Sequence, residues 1–208
     1  MEEKEQISIA YNKRLLFIGK TRSGKSYLSR VLMNQFKKVK DLQIIIIDPK
    51  HEIKKFGDGS SLEKPKLVTE YQDKLKVQVF QTFEWLPSLD RMIDKVLKRG
   101  KAIVCFDELG GLATASHVPS GITRLWTQGG GKGVGAWSLI QFPKRVPLVI
   151  KSQSEHIFLF RINSKEDRKA ILDFIPDERI VPKPLPNRYF WHYEEGNDAA
   201  QKFKPIKI

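Results

Sequence analysis

Gly19-Lys20-Thr21-Arg22-Ser23-Gly24-Lys25-Ser26 is the stretch on which the reading of this 208-residue chain turns. It has the form G-x-x-x-x-G-K-S. The apolar run Arg14 to Ile18 stands before it, and Lys25 to Phe36 follows with Leu28, Val31, Leu32 and Phe36 at spacings that share one helical face. Strand, glycine-rich turn and helix in that order form a phosphate-binding loop. The glycines let backbone N–H groups curl around phosphate oxygens, and the helix turns its positive end toward the same anion. Lys25 is then the residue that reaches the β and γ phosphates, and Ser26 the hydroxyl ligand of Mg²⁺. With Tyr27 next in the chain, Gly19 to Tyr27 are the candidate nucleotide-binding residues.

A phosphate cradle alone implies binding. Hydrolysis needs acids, and Ala102-Ile103-Val104-Cys105-Phe106 is a strand-like apolar run that ends in Asp107-Glu108. Ligands of α/β sheets lie at the carboxyl ends of strands, so this pair is expected to face the loop. Asp107 suits the magnesium site, and Glu108 suits a general base or water-positioning group. The bland reading of the same pair is an acidic loop start.

Apolar runs bounded by Gly, Pro and Asp alternate with segments of helical period, the signature of βαβ units around a mainly parallel sheet. Gln43 to Ile47 reads as a central strand stopped at Asp48-Pro49, and Val77 to Phe80 as a further strand. Trp85 to Arg99 reads as a helix, Ile122 to Gln128 as another, and Ala136 to Ile140 as a strand after the cluster Gly129, Gly130, Gly131, Gly133 and Gly135. Ile157 to Ile162 is expected as a core strand, followed by a helix from Lys165 to Phe174 with Ser164 as N-cap. Phe56 to Lys66 has the composition of a surface loop. Tyr189 to Tyr193 alternates like a terminal edge strand. The expectation is one α/β domain over 1–208, with a core of about 14–175 and a carboxyl-terminal extension over 176–208.

The formal net charge is +13 and the pI about 9.7. Such a field favours a polyanionic partner, nucleic acid or an anionic membrane surface, unless it serves solubility alone. Apolar runs such as Ile44 to Ile47 are too short to span a bilayer. The chain opens on Glu2, Glu3, Lys4 and Glu5, unlike a secretory signal, so a cytoplasmic location is expected. The lone Cys105 excludes an internal disulfide, and the four histidines show no metal-ligand spacing.

Several of these features occur together elsewhere. Gly19 to Ser26, then Asp48-Pro49-Lys50, then Asp107-Glu108, then Gln141 after a glycine-rich turn and strand resemble the FtsK and HerA superfamily of DNA-translocating ATPases. Ser152-Gln153 and Phe158 to Arg168 are similar to the region after that glutamine in HerA-type pumps. The resemblance implies a P-loop NTPase fold of the RecA/ASCE kind, ATP and Mg²⁺ as cofactors, and double-stranded DNA as partner. It also implies a homo-oligomeric ring, hexamer or pentamer, with Gln141 linking the γ phosphate to the moving parts. His51 and Glu52 echo the family's acid in that loop. The family's trans-acting arginine would fall on Gly130, a departure from the pattern. Lys132, Arg124, Arg145 and Arg161 are the substitutes, with Arg161 favoured at the end of a core strand.

Because the phosphate loop comes so early, the chain is expected to be motor alone, similar to genome-packaging ATPases of membrane-containing icosahedral viruses. A capsid vertex or membrane component would then be a further partner. Two other readings stand beside this one: a HerA-type host or plasmid DNA-processing translocase, and a nucleotide-gated assembly protein. The glycine cluster with Lys132 reads either as a pore loop touching DNA phosphates or as a flexible connector. Trp126 and Trp137 are expected in the core or an interface.

Overall fold

The computed structural model describes residues 7–36, 38–51, 66–81 and 86–206. The expected loop over Phe56 to Lys66 lies outside the described residues apart from Lys66, as do Glu52 and Trp85. The chain lays down β1 (Arg14–Ile18), α1 (Lys25–Gln35), β2 (Gln43–Ile47), β3 (Lys66–Leu67), β4 (Val77–Phe80), α2 (Leu86–Arg99) and β5 (Ala102–Phe106). It continues with α3 (Ser120–Gln128), β6 (Val134–Ile140), α4 (Leu148–Gln153), β7 (His156–Leu159), α5 (Lys165–Lys169), β8 (Phe190–Glu194) and β9 (Gln201–Phe203).

One sheet collects all of these strands in the order β3-β4-β2-β5-β6-β1-β7-β8-β9. Pairing is parallel from β3 through β7 and antiparallel for β8 and β9. β1, β2, β5 and β6 are buried along nearly their whole length. Continuous aliphatic runs such as Gln43–Ile47 form strands of this kind because helices cover both faces and alternation has no use. Even residues of β2 and odd residues of β5 enter one apolar cluster, with Leu28, Leu32 and Met33 of α1. The alternate residues enter the other, with Leu89, Ile93 and Val96 of α2 and Leu125 of α3. Trp126 and Trp137 are fully buried, one in each cluster.

The structure corrects several boundaries. β7 ends at Leu159 rather than Ile162: Phe160 still donates its N–H to the Ile18 carbonyl, and the chain then swings under the phosphate loop. Arg161 therefore lies beyond the strand. The helix expected to Phe174 stops at Lys169 and gives way to turns, although Ser164 caps it as anticipated, accepting the Asp167 N–H. α4, built on Leu148–Gln153 behind Pro147, is too short to carry a period. Tyr189 to Tyr193 is displaced by one residue and is no edge. β9 pairs with β8 and takes that place. No helix among the described residues is long and apolar enough to cross a membrane.

Where β7 meets β8, two imidazoles lie back to back. His156 Nδ1 and His192 Nε2 are 3.1 Å apart, and Phe158 stacks on the His192 ring. Burial, aided by the neighbouring His156, pushes the His192 pKa down to about 4, and burial lowers that of His156 as well. An unfolded histidine titrates near about 6.5, so the fold holds the neutral ring. Stability is full above that value and drains as pH falls toward the folded pKa, by up to about 1.4 kcal/mol per pH unit. Urea unfolding at pH 7 and pH 5 should register this loss, and His192→Phe should flatten it. An unchanged slope in the variant would remove the pair from the account.

Candidate functional site

In a parallel sheet all strands deliver their loops to the same end. The carboxyl ends of β2, β5, β6 and β1 here stand side by side in that order. They carry Asp48, Asp107-Glu108, Gln141 and the phosphate loop respectively.

The loop is anchored on both flanks. Gly19 donates its N–H to Ile140 O (3.1 Å) and Lys20 donates to Arg161 O (3.1 Å). Gly24 has φ 113°; a Cβ there would stand 3.2 Å from the Phe160 ring. At Gly19 a Cβ would come within 2.7 Å of the Phe160 Cβ. Glycine is thus required twice by the way the loop packs on Phe160. The Lys25 ammonium, almost fully buried, donates to the carbonyls of Gly19 (2.7 Å) and Lys20 (3.0 Å). α1 has no acid in its first turn, so its positive end stays uncompensated by local charge. Ser26 and Tyr27 open that helix, Ser26 half-buried and Tyr27 exposed.

Across the strand ends runs a chain of polar contacts. Thr21 Oγ1 donates to Gln141 Oε1 (3.0 Å), Gln141 Nε2 donates to Glu108 Oε2 (2.8 Å), and Lys50 Nζ pairs with the same oxygen at 2.5 Å. Its members follow the sheet order β1, β6, β5, β2. An amide suits the middle because it accepts from the hydroxyl and donates to the carboxylate at once. Asp107, one residue before Glu108, is buried, and its N–H donates to Ile47 O at 2.9 Å. Asp48 ends β2 fully buried.

The other candidates fall elsewhere. Arg161 sits beside the loop of its own chain, its Nε donating to Asn163 Oδ1 (3.0 Å). Arg124 pairs with Asp94 at 2.9 Å on the α2–α3 surface. The Arg145 guanidinium lies 5.0 Å over the Phe142 ring. Lys132 stands at the start of β6, at the opposite end of the sheet from the loop. His51 is exposed.

Sequence reasoning assigns Lys50 and Thr21 no chemical task beyond their places in motifs. Strand adjacency is the signal that finds Lys50: β2 neighbours β5, so residues shortly after each strand meet. Phe160 reads from sequence as one more core residue, and nothing local marks Arg188. The Arg188 Cα stands 3.8 Å from the place of a Gly24 Cβ.

As to a metal, no group of three or more His, Cys, Asp or Glu gathers among the described residues. The described residues therefore form no all-protein cage. A serine hydroxyl and one carboxylate are the donor types of a magnesium ion that keeps most of its ligands as water and phosphate oxygen. The residues present fit that ion. Cys105 is inert in this setting, its thiol pushed up by burial and by Asp107.

The loop geometry makes a direct prediction: Gly24→Ala, forced into positive φ against Phe160, should cost about 1–3 kcal/mol of folding stability in urea titration. A cost near zero would mean that the loop is not held as described.

Comparison with known proteins gives the wider context. Residues 7–84 match the family model for the central domain of helicase HerA. By sequence, no curated protein matches the chain. Among solved structures, the genome packaging NTPase B204 of Sulfolobus turreted icosahedral virus 2, in complex with AMPPCP, superposes with a TM-score of 0.77 at 20% identity, over 95% of this chain and 100% of that one. B204 of Sulfolobus turreted icosahedral virus, described as its DNA-packaging ATPase, gives 0.72 at 21% identity, over 94% and 98%. The pCW3 conjugation coupling protein TcpA gives 0.66 at 16%, over 96% of this chain and 62% of that one. The phosphate-loop part of the sequence is thus similar to the central domain of helicase HerA, and the chain as a whole has the P-loop NTPase fold of the packaging NTPases nearly end to end.

Proposed function

We propose that the chain is the motor subunit of a Mg-ATP-dependent DNA translocase of the genome-packaging kind. The observation that carries the reading is the chain Thr21–Gln141–Glu108–Lys50 drawn across the strand ends beside the phosphate loop. A phosphate carrier would need the loop alone. A hydrolase needs a carboxylate held in place and an amide able to report on the last phosphate, and the line Glu108–Gln141 offers both.

In this reading Gly19 to Tyr27 bind the nucleotide, with Lys25 leaving the loop carbonyls for the β and γ phosphates. Ser26 and Asp107 hold Mg²⁺, whose part when bound is to neutralise phosphate charge. Glu108 orients the attacking water and takes its proton, a role that fits a carboxylate held by Lys50 and Gln141. Gln141, tied to Thr21, couples the state of the loop to Glu108 and along β6. A cleft of about 360 Å³, lined by Lys20, Thr21, Gln141, Phe142 and Asn163 among others, opens beside these groups. Phe142 is 49% exposed at its rim. That rim suits contact with a neighbouring subunit of a hexameric or pentameric ring, where Arg161 or another base would act in trans. The likeness to packaging NTPases over 95% of this chain supports packaging over other DNA transport, and a cytoplasmic or virion setting would fit it. The HerA match supports the main alternative, a HerA-type DNA-processing translocase, and a capsid vertex or membrane component is the partner that would separate the two.

Hydrolysis should require magnesium and should respond to duplex DNA. Glu108→Gln should keep ATP affinity while turnover drops about 10²-fold or more, and Lys25→Ala should lose turnover through lost binding. Undiminished hydrolysis in Glu108→Gln would take the base role from that residue.

A further inference from the structure

The two ends of the sheet are built differently. At the carboxyl end acids and bases are mixed, Asp48, Asp107 and Glu108 with Lys25 and Lys50. At the other end, the turns that enter the strands are basic: Lys40 before β2, Lys74 before β4, Lys98, Arg99 and Lys101 before β5, and Lys132 before β6.

Backbone bonds hold these turns together. Gln43 N–H donates to Lys101 O (3.0 Å), Ile44 N–H to Lys76 O (2.8 Å) and Ala102 N–H to Gly133 O (3.4 Å). Arg99 stitches the surface by donating to the Asp41 and Lys101 carbonyls and pairing with Asp73 at 3.2 Å. Lys40, Lys74, Lys98, Lys101 and Lys132 are exposed and have no carboxylate partner among the described residues. Bases at helix carboxyl ends are common, since they offset the helix dipole. That explains Lys98 and Arg99. It does not explain Lys74 or Lys101, which sit in turns, and Lys101 accepts a left-handed backbone (φ 44°) unusual for a side-chain-bearing residue.

A second observation points to a ligand on the same surface. Gly130 and Gly131 stand beside Lys132, and neither has positive φ. A Cβ would meet nothing within 4 Å at Gly131 and only Asn12 O, at 3.8 Å, at Gly130. Gly133, by contrast, has φ 71°. Neither conformation nor packing asks for glycine at 130 or 131. What glycine leaves there is bare backbone, which a chain of phosphates can approach closely.

We infer that the amino-terminal ends of β2, β4, β5 and β6, with Gly130–Lys132, form a binding face for the phosphate backbone of duplex DNA. The face lies across the sheet from the nucleotide, about one strand length or roughly 17 Å away. The inference rests on the DNA-motor reading and says where on the subunit the DNA lies. Rigid strands then connect the two sites: β6 runs from Lys132 and Gly133 at the DNA face to Gln141 beside the phosphate loop. The recognition is electrostatic, with no groove-reading element, so binding is independent of base sequence.

The test compares two charge-matched triple variants of the full chain. One is Lys74→Glu, Lys98→Glu and Lys101→Glu; the other is Lys169→Glu, Lys183→Glu and Lys204→Glu, also exposed but on the α5 and carboxyl-terminal side. Binding to a random-sequence DNA duplex is measured over a salt series, with circular dichroism to confirm folding. The first variant should bind at least about tenfold more weakly, with the salt slope reduced by about 0.9 for each phosphate that is no longer neutralised, while the second stays close to the parent. Gly131→Glu, for which the structure leaves open space, should weaken binding in the same direction without disturbing the fold. Equal losses in both triple variants, or DNA affinity unchanged in the first, would overturn the face. So would loss confined to anionic phospholipid vesicles. The two readings fail separately: a chain that binds DNA here but hydrolyses no ATP sinks the motor, and a DNA-stimulated ATPase indifferent to these lysines sinks the face.

Discussion

The arrangement at the candidate site depends on one topological fact, the placement of β6 between β1 and β5. If the phosphate-loop strand and the acid-bearing strand were direct neighbours, nothing would separate Thr21 from Glu108. With β6 between them, the residue that follows it must sit at the junction, and Gln141 does. Its amide meets the loop on one side and Glu108 on the other. Each of these contacts is short-ranged and individually modest, but all are registered by backbone ladders buried on both faces. The geometry is therefore set by the core and not by the polar side chains themselves.

Much of this is legible in the sequence, for reasons that can be named. The phosphate loop announces itself because its chemistry demands glycines and a lysine at fixed places, flanked by a strand and a helix. Buried parallel strands announce themselves as unbroken apolar runs, and Gln43–Ile47 and Ala102–Phe106 are read with correct bounds for that reason. Asp107, Glu108 and Gln141 can be placed at one end of the sheet by the rule that loops follow parallel strands there.

What is not legible depends on tertiary packing. The early end of β7 comes from Phe160 leaving the ladder to support Gly19 and Gly24, and no local period encodes that. α5 is short because the chain after Lys169 turns back, although Lys165 to Phe174 has helical composition. β9 hides in a three-residue polar segment. Lys50 acquires its partner only when the order β2-β5 is known. The glycine run before β6 is visible as an oddity, and its partners across the turns before β2, β4 and β5 appear only with the strand order.

The same parallelism that gathers the carboxyl-end loops beside Gly19–Ser26 also gathers the amino-end turns, and here it gathers lysines. In the proposed reading the two faces are joined by stiff strands, one for triphosphate and the other for polyanion. The central claim remains the first of these. A crystal structure with magnesium and a non-hydrolysable ATP analogue would test it most directly. The triphosphate is expected inside Gly19–Ser26 with the Lys25 ammonium on its β and γ oxygens, the metal on Ser26 and on the Asp107 side, and Glu108 and Gln141 facing the last phosphate. Nucleotide bound elsewhere, or bound in the loop with Glu108 and Gln141 directed away from the γ phosphate, would contradict it.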